Sequence, residues 1–75
     1  MNQNILFNDD LTFDQHQGAW HFTAFISGEL ISIYFHSIKL SQMEEINSCI
    51  QFDLEELVEL WLEKNELQGS EIHIA

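Results

Sequence analysis

Between Ala19 and His36 apolar and other side chains alternate with a period of two. Trp20, Phe22, Ala24 and Ile26 fall on one side, and His21, Thr23 and Phe25 on the other. After Ser27-Gly28 the alternation resumes, with Ile31, Ile33 and Phe35 opposed to Leu30, Ser32, Tyr34 and His36. A two-residue loop at Ser27-Gly28 pairs Ala24 with Ile31, Phe22 with Ile33 and Trp20 with Phe35. Every large apolar group on one face then meets another. A slip of one residue would set polar groups against that face, so the pattern specifies both a β-hairpin and its register. The second face pairs His21 with Tyr34, Thr23 with Ser32 and Phe25 with Leu30, a mixed surface suited to partial solvation or an interface. Upstream, Asn4 to Phe7 is a short apolar start broken by Asn8-Asp9-Asp10. Phe13 continues a strand into a turn over 14–18, where Gly18 is expected to take positive φ.

The second half changes period. Ser41 and Glu44 have capping-box spacing, and Met43, Ile46 and Ile50 follow at i, i+3, i+7, which predicts a first short helix. Gln51-Phe52 interrupts it, and Asp53 with Glu56 offers a second cap. Leu54, Leu57, Val58, Trp61 and Leu62 form one apolar stripe, predicting a longer helix over 54–66 with Gly69 as its stop. Glu71-Ile72-His73-Ile74 alternates again, as a final edge strand would. Strands followed by helices define an α+β domain, an antiparallel sheet on a central hairpin with both helices on one face. The chain is one domain over residues 1–75.

The order of these segments resembles a known family. Met1-Asn2-Gln3, Ile5, Phe7 and Leu11-Thr12-Phe13-Asp14 are similar to the opening of the domain of unknown function 1488 family. His21-Phe22-Thr23-Ala24 with Gly28 is similar to its central hairpin, and Phe52-Asp53-Leu54-Glu55-Glu56 to its helix-opening phrase. The connection from His36 to Ser41 looks shorter than the family's. The resemblance implies a small α+β fold and a bacterial cytosolic protein, and no activity.

Composition narrows the function classes. The net charge is −11, with Lys39 and Lys64 against thirteen carboxylates. Nucleic acid and anionic membranes would repel such a chain, whereas a basic protein partner is compatible with it. At 45 % hydrophobic and 12 % aromatic, with no proline, the sequence is that of a folded domain and not of a disordered acidic tail. The single Cys49 excludes an internal disulfide and fits a reducing cytosol. It is read as a buried or half-buried structural thiol. No apolar run approaches the ~20 residues of a membrane helix. The expected location is the cytoplasm.

Candidate chemistry is sparse. The four histidines show no metal-ligand spacing, and Asp9, Asp10 and Asp14 lack the glycine and closing glutamate of a calcium loop. Gly18, Gly28 and Gly69 are too far apart for a phosphate or dinucleotide loop. Neither cofactor, nor metal, nor enzymatic activity is expected. The candidate interface is Phe25, Leu30 and Tyr34 on the second hairpin face, with Leu60 and Leu67 off the helix stripe. Folding so short a chain buries only about 60 % of its surface, which favours a homodimer or other homo-oligomer through that face. An alternative lies in Glu55, Glu59, Glu63 and Glu66, which step along the helix about 6 Å per four residues. Two phosphate steps on a nucleic-acid strand span ~7 Å. An acidic mimic occupying the groove of a basic nucleic-acid-binding protein would carry such a row.

Overall fold

The computed structural model describes residues 5–75. Asn4, where the first strand was expected to begin, and Met1-Asn2-Gln3 of the family-like opening lie outside them. The elements run β1 (Ile5–Phe7), β2 (Thr12–Asp14), β3 (Ala19–Ile26), β4 (Glu29–Phe35), α1 (Ile38–Ser41), α2 (Ser48–Lys64) and β5 (Glu71–Ile74).

The hairpin forms in the expected register, Trp20 opposite Phe35, Phe22 opposite Ile33 and Ala24 opposite Ile31. Its turn holds Ser27 at φ 52° and Gly28 at φ 86°. Two positive φ values match the right-handed strand twist and close a tight hairpin. β1 and β2 share one side of β3, β1 against Ala24–Ile26 and β2 against Ala19–His21, both antiparallel. β5 lies beyond β4 and runs parallel to it, Ile33 opposite Ile72 and Phe35 opposite Ile74. The sheet is therefore mostly antiparallel with one parallel edge, because the crossover through the helices returns the chain in the direction of β4.

One sheet face forms the core. Phe22, Ala24, Ile31, Ile33, Phe35 and Ile72 are buried under Leu54, Val58 and Leu62 of α2. Trp20 Nε1–H donates to the Leu40 carbonyl at 2.8 Å, which pins α1 over the end of the sheet.

The helices depart from the expected boundaries. The first is a single turn at 38–41, entered from Ser37, so Ser41 ends it and Glu44 caps nothing. The second starts at Ser48, with Asn47 as its cap, accepting from the Ile50 amide at 2.9 Å. It runs unbroken through Gln51, Phe52 and Asp53 and ends at Lys64, where Asn65 is the C-cap instead of Gly69. Leu57 is 42 % exposed and leaves the buried stripe. At 3.6 residues per turn it is rotated about 100° from Val58, the centre of the buried row.

Candidate functional site

Because side chains alternate across a strand, a core on one face leaves the partners of those residues on the other. Among the described residues no element covers this second face. Strand register sorts it into three rows. Leu6, Phe25 and Leu30 stand side by side on β1, β3 and β4, exposed by 65, 38 and 54 %. Thr23, Ser32 and Glu71 form the middle row. Thr12, His21, Tyr34 and His73 form the third.

The middle row is completed from a loop. Between β1 and β2, Asn8 and Asp10 reach the gap left beside Thr23. The Thr23 amide donates to Asp10 Oδ1 at 2.9 Å, and Thr23 Oγ1–H donates to Asp10 Oδ2 while accepting from Asn8 Nδ2–H at 2.9 Å. The carboxylate takes the place of a neighbouring strand's carbonyl on the edge of β3.

The third row is a ring stack. His21 and Tyr34 lie 5.0 Å apart at 14°, and Tyr34 and His73 5.0 Å apart at 11°. This spacing is that of neighbouring strands, so rings directly opposite one another stack face to face. His36, two residues beyond Tyr34, meets His73 edge to edge, with ring centroids 5.0 Å apart and planes 22° apart. His73 also links two polar groups, with its Nε2 3.1 Å from Glu71 Oε1 and its Nδ1 2.8 Å from His36 Nε2. The Nδ1 of His21 is buried and finds no hydrogen-bond partner among the described residues.

The structure divides the other candidate residues. Phe25, Leu30 and Tyr34 share the open face with His21, His36 and His73. Leu60 lies elsewhere, 46 % exposed on α2. Leu67 is half-buried against the core and lines a depression of about 400 Å³ with Ile26, Ser27 and Leu62, so it is not a free apolar group. Of the acidic row, Glu55, Glu59 and Glu63 are on α2, while Glu66 lies past its end. Glu55 borders a cleft of about 260 Å³ with Phe7, Asp9 and Phe52. Burial there, and then the charges of Glu59 and Asp9, raise its carboxyl above the ordinary value. Cys49 is exposed on the first turn of α2, contrary to the buried thiol expected from its sequence neighbours. The longer helix starts earlier than expected and turns position 49 outward.

Sequence reasoning placed His21 beside Tyr34 but missed the link between His36 and His73. Residues 36 and 73 are neighbours through the parallel pairing of β5, for which the alternation of 71–74 supplied a strand but no partner.

No family model matches this chain, and neither does any curated protein. A crystal structure of a protein of unknown function from the domain of unknown function 1488 family of Shewanella loihica PV-4 is similar along nearly its whole length. The two are 30 % identical with a TM-score of 0.71, over 99 % of this chain and 94 % of the other. The chain belongs to that family.

Proposed function

We propose that this chain is a non-enzymatic interaction module that pairs with a second copy of itself through the open face of its sheet. The observation that carries the reading is the row Leu6, Phe25 and Leu30, three adjacent apolar side chains left in solvent on a face that also bears Tyr34. Aromatic and large aliphatic groups are the usual anchors of a buried contact.

Charge favours a second copy as the occupant. Two chains of −11 repel each other, so they can meet only where carboxylates are few. Of the strand residues on the open face only Glu71 and Asp14 are acidic, Asp14 at the end of β2 accepting from the His16 and Gln17 amides, and Asp10 at the margin already accepts two hydrogen bonds from Thr23. The helix side carries Asp53, Glu55, Glu56, Glu59 and Glu63. A sheet-to-sheet pair keeps those helices on opposite outer surfaces. Size is compatible as well. The molecule measures 32 × 24 × 21 Å, so one broad face is of the order of the roughly 800 Å² per partner in a standard interface. The acidic-mimic alternative keeps Glu55, Glu59 and Glu63 in a row but loses Glu66 from the helix.

Light scattering coupled to size exclusion tests the pairing. A mass near twice 8.8 kDa is expected at micromolar concentration, and Phe25→Glu is expected to return the monomer mass. A wild-type mass that stays at 8.8 kDa on concentration overturns the reading.

A further inference from the structure

The link from His36 through His73 to Glu71 is half of a metal-ligand arrangement. A carboxylate only accepts hydrogen bonds, so His73 Nε2–H donates to Glu71 Oε1 across their 3.1 Å. In the neutral ring this leaves the lone pair of His73 on Nδ1, which faces His36 Nε2 at 2.8 Å. A carboxylate that holds one ring nitrogen of a histidine while the other nitrogen is presented as a ligand is the outer-shell pattern of zinc sites.

The spacing fits as well. Two nitrogens bound to one tetrahedral zinc at 2.0–2.1 Å lie about 3.3 Å apart. Bringing both lone pairs onto one such ion turns the exposed His36 ring out of its present head-on contact with His73, a displacement of its Nε2 by about 2 Å. The backbone beneath is fixed, because the His36 amide donates to the Ile74 carbonyl at 2.7 Å and Phe35 is in register with Ile74. On its far side His73 is held by the stacked Tyr34 ring. One chain supplies only two nitrogens, and among its described residues no three His, Cys, Asp or Glu converge. Structural zinc takes four ligands. A two-fold contact sets the same patch of each copy against the other, so pairing through the open face can bring together two such half-sites.

We propose that His36 Nε2 and His73 Nδ1 from each of two copies bind one zinc ion at the sheet-to-sheet contact, with Glu71 orienting His73. This rests on the pairing argued above and names the ion that completes it. Neutral imidazole suits zinc, a borderline ion without redox chemistry, so the step needs neither oxidant nor reductant. The His36 proton moves from Nε2 to Nδ1 through water, and the neutral pair releases no net proton. The separation of 37 positions between the two histidines explains why no sequence spacing reveals the site.

The test is calorimetric titration of chelator-treated protein with zinc chloride, alongside light scattering with zinc and with chelator. One zinc per two chains is expected, together with a larger dimer fraction in zinc. His36→Ala and His73→Ala are each expected to weaken zinc binding at least tenfold, and Glu71→Gln between about 10- and 100-fold. These side chains are exposed, and unchanged far-ultraviolet dichroism checks that the variants fold. A dimer in chelator that takes up no zinc overturns the zinc site and leaves the sheet-face pairing standing. One zinc per chain without association overturns the bridge and the pairing together, as does a monomer that binds none. Wild-type zinc affinity in both histidine variants overturns the assignment of ligands.

Discussion

Individual side chains in this domain act mostly by occupying a place the backbone leaves open. Asp10 supplies the acceptor that β3 lacks between β1 and β2, and one carboxylate satisfies both the amide and the hydroxyl of Thr23. Its neighbourhood was legible only as turn chemistry, because Asn8-Asp9-Asp10 specifies a break in a strand and not the residue it returns to. Glu55 is the opposite case, a charge placed where charge is unwelcome. Burial disfavours its carboxylate, and Glu59 and Asp9 add repulsion, so the folded chain holds that proton to higher pH than the unfolded chain. The folded state then binds more protons across this interval, and stability falls as pH rises through it. Glu55→Gln removes the charge and keeps the shape. Thermal melts at pH 7 are expected to show a gain of about 0.5 kcal/mol, the scale of like-charge pairs on a helix. The gain should vanish below pH 4.5, the ordinary value, where the wild-type group is itself protonated. An equal gain at both pH values would mean that packing, and not charge, is responsible.

Elements were legible in proportion to how many residues voted for each. The hairpin register followed from three apolar pairs and a turn, all of which fail together under a one-residue slip. Helix ends rest on single caps, and this chain offers several with acceptable spacing. Ser41 with Glu44 and Asp53 with Glu56 both satisfy the rule, yet Asn47 is the cap that forms. Packing decides among them, since a helix begun at 48 brings Ile50 as well as Leu54 onto the core. β5 was legible as a strand but not as the parallel neighbour of β4, and with it went the contact between His36 and His73. The turn itself is testable. Ser27 carries a Cβ at φ 52°, where non-glycine residues other than Asn and Asp are strained. Ser27→Asn is expected to raise stability by about 0.5 kcal/mol. Gly28→Ala is expected to cost about 1–2 kcal/mol through the backbone alone, because an added Cβ meets no atom within 4 Å. Urea midpoints measure both, and a neutral Gly28→Ala would show that the turn relaxes away from positive φ.

At the scale of the molecule, net charge and its distribution pull in different directions. The charge of −11 opposes any self-association, while the placement of most carboxylates on the helix side and in loops leaves the sheet face able to approach its own copy. The sign of the salt dependence separates this from binding to a basic protein. If two copies pair through Leu6, Phe25 and Leu30, the opposing force is long-range repulsion between acidic surfaces. Salt shortens its reach, from a Debye length of about 30 Å at 0.01 M to about 10 Å at 0.1 M. Raising sodium chloride from 0.01 to 0.3 M is therefore expected to strengthen the dimer severalfold, read as a lower dissociation constant in sedimentation equilibrium. Chelator in every sample keeps zinc out of this comparison. Glu63→Lys, on the helix away from the sheet, lowers the repulsion without touching the contact, so it should tighten pairing at 0.01 M salt and have little effect at 0.3 M. A complex held by attraction between the acidic helix and a basic surface responds the other way, weakening with salt and with Glu63→Lys. Self-association that weakens as salt rises would place the carboxylates in the contact and remove the open sheet face from it.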